Sequence, residues 1–283
     1  MATLRMIDFR HQIPRLLASC FFLASISFLF LVFKGGLVSQ VTSMDRMFPD
    51  SFKSLPSEVA LALVHYVVSN ITPQQSREEI MLSVNVLAKR APCNFLVFGL
   101  GHDSLMWKSL NYGGRTVFLE ESDDWIKQIV SKHPNFEAYL VDYKTMLKQS
   151  DQLLEYSRSK RSNICRPVQK LQRSKCDLAL NNLPKTLYNV EWDVIMIDAP
   201  RGYFPEAPGR MKAIFSAGVL ARSRKGNGTT DIYLHDVDRP VERIYAEEFL
   251  CRENLVAEAP GRRLWHFNIA PTSEQDLHFC KKH

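Results

Sequence analysis

A short apolar run that leads into a glycine-rich turn constrains the fold of this chain more than any other feature. Residues 94–104 read Asn-Phe-Leu-Val-Phe-Gly-Leu-Gly-His-Asp-Ser. Four consecutive apolar residues without polar alternation are typical of a strand buried on both faces of a parallel sheet. Gly99 and Gly101 let the backbone approach a ligand, and Asp103 or Ser104 can cap the helix that follows. The pattern predicts a strand, a turn that holds a nucleotide-like cofactor, and a helix.

Two further predicted strands end in acidic residues. Residues 115–119 precede Glu120 and Glu121, and residues 192–200 deliver Asp198 to the carboxyl edge of the sheet. Doubly wound sheets bind ligands at that edge, and an acidic residue after the second strand can accept the ribose hydroxyls of an adenosine-containing cofactor. Glu120 and Glu121 are adjacent, so only one can point inward, and Glu120 is predicted to do so. These features favour an S-adenosylmethionine-dependent methyltransferase over a nicotinamide oxidoreductase.

The rest of the sequence predicts alternating helices and strands. Helices are predicted at 57–69, 74–90, 104–110, 122–132, 143–158, 209–224 and 241–249, and strands at 95–98, 115–119, 136–141, 192–200, 231–234, 254–258 and 263–269. Such alternation implies a parallel sheet, and the last two strands could form an antiparallel edge. The predicted fold class is α/β, a Rossmann-like class I methyltransferase sheet with helices on both faces. Residues 159–188 form a long basic insertion before the fourth strand.

An apolar, uncharged run at residues 16–33 predicts a single transmembrane helix ahead of this fold. At about 1.5 Å per residue the run spans about 27 Å, close to the thickness of a bilayer core. A cleaved signal peptide is the alternative, but the run is longer than a typical signal core and no Ala-x-Ala site follows. The surplus of arginine before the run places residues 1–15 in the cytosol. Residues 34–56 are then a stem, and residues 57–283 a lumenal domain.

Cysteines and glycosylation motifs agree with a lumenal domain. Asn70 and Asn227 begin Asn-x-Thr sequons, which are N-glycosylation acceptors in secreted proteins. Cys20 lies in the apolar run, and the other five are Cys93, Cys165, Cys176, Cys251 and Cys280. Their spacing fits no zinc motif, so disulfides are predicted, with one thiol unpaired. Residues 165 and 176 could close a loop in the insertion, and residue 280 could tie down the tail.

Charge excludes one class of partner. The formal charge is +6 and the pI is about 9.0, but basic residues are scattered and do not form a tract interleaved with aromatic residues. Nucleic acid is therefore not a predicted partner. An acidic glycan accounts for the surplus of positive charge equally well.

Four stretches of the sequence resemble the plant glucuronoxylan 4-O-methyltransferase family. They are residues 92–107, 118–121, 198–211 and 234–237, and the resemblance covers roughly residues 55–270 in order. It implies a single-pass type II Golgi membrane enzyme. The implied reaction is S-adenosylmethionine-dependent methylation of O4 of glucuronic acid on a cell-wall polysaccharide, with glucuronoxylan the first choice. Association with other glycan-synthesising enzymes is a further expectation.

The resemblance leaves two alternatives open. Related members act on the glucuronic acid of arabinogalactan, and residues 173–176 and 222–225 depart from the xylan enzymes, so the polymer is not fixed. A sister group with a Gly-Leu-Thr-His-Glu turn affects xylan without clear activity. This chain has Gly-Leu-Gly-His-Asp at residues 99–103 and sides with the enzymes. A catalytically silent scaffold with the methyltransferase fold is the other alternative.

A transferase that acts on a sugar hydroxyl needs a group that takes up the hydroxyl proton. Asp198 ends the fourth predicted strand and His235 and Asp236 end the fifth, so all three face the same edge, where either Asp198 or His235 could be the base. In a second hypothesis, Asp198, Asp236 and Asp238 hold a divalent metal ion that lowers the pKa of the hydroxyl.

The remaining candidate residues are predicted to bind the cofactor and the acceptor. Predicted cofactor contacts are Gly99, Gly101, His102, Asp103, Ser104, Glu120 and Asp198. Arg201 and Arg210 are predicted to bind the uronic carboxylate, because arginine offers a planar pair of donors. Tyr203 and Phe204 could stack on sugar faces. Trp107 is predicted to lie in the core, and residues 265–267 to pack in an edge strand.

Overall fold

The computed structural model describes residues 55–281. The chain divides into two units, residues 1–61 and residues 62–283, and the site described below lies in the second. None of the helices at residues 55–281 is long and apolar enough to span a bilayer. The predicted anchor at residues 16–33 and the predicted stem up to residue 54 fall outside the described residues.

Seven helices and seven strands follow one another within the described residues. The helices are α1 (Ser57–Val68), α2 (Arg77–Arg90), α3 (Ser104–Leu110), α4 (Asp123–Lys132), α5 (Ser150–Ser159), α6 (Met211–Arg222) and α7 (Pro240–Phe249). The strands are β1 (Asn94–Phe98), β2 (Arg115–Glu120), β3 (Glu137–Leu140), β4 (Val194–Ile197), β5 (Thr230–His235), β6 (Leu255–Glu258) and β7 (Leu264–Ile269). Short 3-10 turns at Leu147–Gln149, Leu171–Arg173, Lys185–Asn189 and Arg252–Asn254 complete the regular structure.

The strands form one sheet in the order β3-β2-β1-β4-β5-β7-β6. The first five are parallel, and β7 runs antiparallel to both β5 and β6. This confirms the predicted parallel sheet with an antiparallel edge. The strand order reverses direction at β1, which lies between β2 and β4, and doubly wound sheets bind ligands at such a reversal.

Both faces of the sheet are covered, as predicted. In β1, Leu96 and Phe98 point to the side covered by α6 and α7, and Phe95 and Val97 point to the side covered by α2, α3 and α4. All four side chains are almost fully buried. A strand with both faces buried needs apolar residues at every position, which explains the absence of polar alternation in its sequence.

The central strands end at the same level because of their register. Val97 is paired with Phe118 on one side and with Met196 on the other. The ladder continues one step further, since the Gly99 amide donates to the Leu119 carbonyl at 2.8 Å. The glycine turn and the acidic residues that follow β2 and β4 are thereby brought together at the carboxyl edge.

One predicted helix is wrong in its first half. The sequence predicts a helix over residues 143–158, whereas α5 begins only at Ser150. The preceding segment instead pairs with the loop before α6: the amide of Leu147 donates to the Ala207 carbonyl at 2.7 Å, and Thr145 Oγ1 donates to Pro208. These tertiary hydrogen bonds replace the helical ones that local sequence favours.

The predicted start of α2 is also displaced. Ser76 is the N-cap residue, and the Ser76 hydroxyl and the Glu79 carboxylate form a reciprocal capping box. The helix predicted at residues 74–90 therefore begins three residues later than predicted. A capping box satisfies two backbone amides that would otherwise lack acceptors, which fixes where the helix begins.

The disulfide prediction is confirmed. Cys165 pairs with Cys176 within the basic insertion, and Cys251 pairs with Cys280 and holds the tail. Cys93 is the unpaired cysteine among the described residues, and it is buried at the start of the sheet.

Candidate active site

A cavity of about 690 Å³ opens at the carboxyl edge of the sheet, where β1, β2 and β4 end. Its walls come from residues 65–75, from the glycine turn, from the start of α4 and from the residues that follow β4 and β5. This volume lies within the range of small-molecule sites in proteins, roughly 300–1,000 Å³.

The glycine turn forms the floor of the cavity. Gly99 has φ of +121°, and a Cβ atom there would lie 3.3 Å from the Cβ of Ala199, so only glycine fits without strain. The Gly101 amide donates to Ser104 Oγ at 2.9 Å, and a Cβ at Gly101 would approach Asp103 Oδ1 to 2.7 Å. The turn therefore presents bare backbone to the cavity.

The side chains after this turn have different positions. His102 and Asp103 line the cavity, and Ser104 is buried beneath the turn, where it shapes the loop. Asp103 Oδ2 accepts a hydrogen bond from Trp107 Nε1 at 2.8 Å. Trp107 is almost completely buried, which confirms its prediction as a core residue, although it also borders the cavity.

Glu120 lies against the glycine turn. Its Oε2 accepts the Leu100 amide at 3.1 Å, and its Oε1 accepts the amides of Glu121 and Ser122 at 2.9 and 3.0 Å. Burial raises the pKa of Glu120, and these backbone donors only partly oppose it. Glu121 also borders the cavity, but its carboxylate is held by Arg201 Nε at 2.8 Å. Of the two adjacent acids, Glu120 is the one fixed beside the turn, and its contact with a cofactor stays a prediction.

Asp198 connects the cavity to a buried polar cluster. Its Oδ1 lies 2.9 Å from His235 Nδ1 and 3.1 Å from Arg210 Nη2, and its Oδ2 accepts from Gln75 Nε2 at 3.1 Å. Burial raises the pKa of Asp198, but the hydrogen bond to His235 and the charge of Arg210 outweigh it and lower the pKa to about 2. Asp198 is therefore ionised over the whole physiological range.

His235 lies behind Asp198. Its side chain is only 2% exposed, and its Nε2 is 3.6 Å from Glu79 Oε1. Burial lowers the pKa of His235, but the hydrogen bond to Asp198 and the nearby negative charges raise it by more than burial lowers it. The net change in the pKa is therefore upward. Asp198 is among the residues that line the cavity and His235 is not, so of the two predicted bases Asp198 is the one that can meet an acceptor.

The Asp236 carboxylate forms ion pairs with three arginines, so it does not fit the predicted metal site. Its carboxylate is 2.8 Å from Arg210 Nη2, 3.0 Å from Arg239 Nη2 and 2.6 Å from Arg263 Nη2. The Arg210 guanidinium lies between Asp236 and Asp198, where a shared metal ion would have to bind. A cationic side chain there satisfies both carboxylates, and we assign no metal to them.

Asp238 is the third predicted metal ligand, and it lies outside the cluster. Its carboxylate is about half exposed and is 3.8 Å from Arg263 Nε. The group of acidic and histidine side chains that converges here is Asp198, His235 and Asp236. Asp238 therefore has no place in the cluster that the structure forms.

The two arginines predicted to bind the acceptor differ in their freedom. Arg210 is buried, and its guanidinium donates to the carbonyls of Pro200, Asp198 and His235 in addition to its two carboxylate partners. Arg201 is exposed at the mouth of the cavity, and its Nη groups have no hydrogen-bonded partner among residues 55–281. Arg201 is free to bind the carboxylate of a ligand. Arg210 instead bridges the carboxylates of Asp198 and Asp236.

Of the two aromatic residues predicted to stack on sugar faces, Tyr203 and Phe204, only Tyr203 lines the cavity. Tyr203 is exposed and lines the cavity. Phe204 does not line it and packs edge-to-face against the Tyr203 ring at 5.1 Å. Tyr203 is therefore the ring available to a sugar, and Phe204 supports it. Residues 265–267 lie in β7, as predicted, and His266 binds Asp231 at 2.8 Å, away from the cavity.

Sequence reasoning missed the wall formed by residues 65–75 and the first turn of α2. Gln75 and Glu79 are both buried and reach Asp198 and His235. Arg239 is a further missed residue that borders the cavity. The Ser76-x-x-Glu79 spacing of the capping box was the available signal, since it marks a helix start and fixes which residues belong to the first turn.

Comparisons with known proteins identify relatives of this chain in a flowering plant. The chain is 52% identical over 221 residues to glucuronoxylan 4-O-methyltransferase 2 of Arabidopsis thaliana, covering 78% of this chain and 74% of that protein. It is 54% identical over 211 residues to arabinogalactan O-methyltransferase 2 of the same plant, covering 74% and 71%. It is 44% identical over 236 residues to the Arabidopsis thaliana protein IRREGULAR XYLEM 15, covering 82% and 72%.

The family match spans most of the fold. Residues 78–267 match the family described as IRX15/IRX15L/GXM, and this range begins in α2 and ends in β7. It contains the glycine turn, both acidic strand ends and the Asp198–His235 pair. With relatives above 50% identity and a match over well more than half its length, the chain belongs to the IRX15/IRX15L/GXM family.

Proposed function

We propose that this chain is an S-adenosylmethionine-dependent methyltransferase that methylates O4 of glucuronic acid on a cell-wall polysaccharide, with glucuronoxylan the preferred polymer. The observation that carries the proposal is the cavity where the glycine turn, Glu120 and Asp198 meet. Relatives at 52% and 54% identity that bear methyltransferase names support it.

The residues around the turn fit an adenosine-containing cofactor. Gly99 and Gly101 leave the backbone bare, so the amino-acid part of the cofactor can lie against it. Glu120 offers carboxylate oxygens at the end of β2, where such sheets bind ribose hydroxyls. When bound, S-adenosylmethionine supplies an electrophilic methyl group on a sulfonium.

Asp198 is the group placed to act on the acceptor hydroxyl. A hydroxyl becomes strongly acidic as its oxygen bonds to the methyl carbon, so a carboxylate with a pKa of about 2 can accept the proton at that stage. Arg210 and His235 keep Asp198 ionised and fix its orientation. Holding the hydroxyl in line is the other contribution of the site, since orientation alone accelerates reactions strongly.

Arg201 is the residue that we assign to the uronic carboxylate. Its side chain is 56% exposed at the cavity, and Glu121 Oε1 accepts a hydrogen bond from its Nε at 2.8 Å, so its Nη groups are left for a ligand. Arginine binds carboxylates through two parallel hydrogen bonds. Tyr203, which is exposed beside it, offers a ring for the sugar face.

We place the enzyme in the Golgi membrane with its catalytic unit in the lumen. The apolar run at residues 16–33 supports an anchor. Asn70 and Asn227 are both exposed and therefore accessible to glycosylation. Two disulfides agree with an oxidising compartment. Glycosidase-sensitive mass on the protein, with its C-terminus protected from protease in sealed vesicles, is the expected result.

The test of the function is methyl transfer from labelled S-adenosylmethionine by the full-length chain. Acceptors are glucuronoxylan, arabinogalactan and a matched neutral xylan without glucuronic acid. We expect label on glucuronoxylan, released as 4-O-methylglucuronic acid after hydrolysis. Preferred labelling of arabinogalactan would change the proposed polymer but leave the proposed reaction unchanged. Absence of transfer to every acceptor, by a folded protein that binds the cofactor, would refute the proposal.

A silent scaffold is the second candidate, because one relative at 44% identity, IRREGULAR XYLEM 15, carries no enzyme name. Calorimetry with S-adenosylmethionine separates the two. A scaffold with an unused pocket shows no binding, whereas the proposed enzyme binds the cofactor without an acceptor present.

A further inference from the structure

The N-terminal end of α2 reaches the Asp198–His235 pair. Gln75, which precedes the N-cap residue Ser76, and Glu79, in the first turn, are 5% and 2% exposed. Buried polar side chains are costly unless they are bound, so their presence here requires an explanation.

Glu79 divides its carboxylate between two neighbours. Its Oε2 accepts the Ser76 amide at 2.7 Å in the capping box, and its Oε1 lies 3.6 Å from His235 Nε2. The N-terminus of a helix is a favourable place for an acidic side chain, because the helix dipole attracts negative charge there. The capping box alone needs one oxygen, so the second is left to face the imidazole.

His235 is thus enclosed by acidic groups from three separate elements. Its Nδ1 lies 2.9 Å from Asp198 after β4 and 3.5 Å from Asp236 after β5, and its Nε2 faces Glu79 of α2. Opposing cations are Arg210, which donates to the His235 carbonyl, and Arg239 and Arg263, which bind Asp236.

We propose that Glu79 is a positioning residue that holds His235 in its doubly protonated form behind Asp198. With both ring nitrogens protonated, Nδ1–H donates to Asp198, and Nε2–H, which has no hydrogen-bonded partner among residues 55–281, lies 3.6 Å from the Glu79 carboxylate, whose charge attracts it. Asp198 then keeps one oxygen fixed by His235 and the other fixed by Gln75. This inference assigns a role within the proposed methyltransferase site and rests on that function for its catalytic consequence.

Burial and charge agree with this arrangement. Burial lowers the pKa of His235, but the Asp198 hydrogen bond and the charges of Asp198 and Asp236 raise it above its ordinary value. The Glu79 carboxylate lies 3.6 Å from His235 Nε2, within the distance at which charges interact. An opposite charge within about 4–6 Å changes a pKa by roughly one to three pH units.

The test is a titration of His235 in the full-length chain, labelled with ¹⁵N at its eight histidines. The His235 signals are assigned by their loss in His235→Gln. In the unsubstituted protein at pH 7 we expect the ¹⁵N shifts of a ring protonated at both nitrogens. In Glu79→Gln, whose amide can still complete the capping box, the His235 midpoint should fall by about one to three pH units.

Glu78→Gln is the matched control, because Glu78 is the exposed neighbour in the same turn. It should leave the midpoint of His235 unchanged. In Glu79→Gln the alkaline limb of turnover should move to lower pH together with the midpoint, and cofactor affinity should stay within about twofold of the unsubstituted value.

Three results would overturn the inference. They are a neutral His235 ring at pH 7 in the unsubstituted protein, an unchanged midpoint in folded Glu79→Gln, and an equal change in Glu78→Gln. The first does not depend on Glu79→Gln and holds even if that variant fails to fold. Because the titration needs no turnover, a protein without methyltransferase activity can still confirm or refute the role of Glu79.

Discussion

Arg210 is predicted to stabilise the buried cluster of Asp198, His235 and Asp236. Its substitution should therefore lower the free energy of unfolding. Its side chain is 5% exposed and contacts Asp236 at 2.8 Å and Asp198 at 3.1 Å. Arg210→Gln leaves a neutral side chain beside two buried carboxylates. Removing one partner of a buried ion pair typically costs about 3–5 kcal/mol, because the remaining charge is left uncompensated.

That cost is large against the stability of a domain. A change of 1 kcal/mol moves the Tm of a domain of about 150–250 residues by about 2–4 °C, so Arg210→Gln should lower Tm by roughly 6–20 °C. Urea unfolding followed by circular dichroism measures the free energy of unfolding directly. Arg263 and Arg239 still contact Asp236, which places the expected loss at the lower end of the range.

Arg201→Gln is the matched control for this measurement. Arg201 also pairs with a carboxylate, that of Glu121, but its side chain is 56% exposed. Exposed pairs contribute about 0–1 kcal/mol, so its free energy of unfolding should change little. If Arg210→Gln were as stable as Arg201→Gln, the assignment of Arg210 to the cluster would be refuted, and its prediction as a carboxylate-binding residue would regain support.

Three further predictions concern the ligand and pH. Arg201→Gln should weaken binding of a uronic-acid acceptor by about ten- to a hundredfold and leave a neutral acceptor unaffected, which acceptor titrations with both sugars would show. Glu120→Gln should lower cofactor affinity in calorimetry, whereas Glu121→Gln should not, because Glu120 is fixed beside the glycine turn; the reverse result would exchange their roles. The lowered pKa of Asp198, about 2, contributes stability that is present above its unfolded pKa near 4 and is lost as pH falls through 2. The gap in unfolding free energy between the unsubstituted protein and Asp198→Asn should therefore narrow by about 2 kcal/mol from pH 5 to pH 2, and a constant gap would contradict that pKa.

Local sequence was sufficient for the elements of the sheet and for the residues at its edge. The apolar run at residues 95–98 requires burial on both faces, and a glycine pair after it requires a turn open to a ligand. Alternation of helix and strand then implies parallel pairing. Since parallel strands share one carboxyl edge, Gly99, Glu120 and Asp198 could be placed together from the sequence.

Tertiary structure decided what each side chain at that edge contacts. Arg201 and Arg210 are equivalent in sequence, since both lie in one polar loop, yet one is exposed at the cavity and the other is buried between two carboxylates. Their difference depends on where β5 and α7 bring Asp236, more than twenty residues away. Contacts with residues that are distant in sequence leave no periodic pattern in the loop, so the sequence alone could not distinguish the two arginines.

The role of α2 was hidden for the same reason. Glu79 reads as half of a capping box, which is a local and sufficient explanation for an acidic residue three positions after Ser76. Only the packing of α2 against the sheet brings its second oxygen to His235, 156 positions further along the chain. Capping is a short-range preference that sequence determines by itself, whereas the position of a helix over a sheet depends on burial of the whole apolar surface, and only the folded chain sets it.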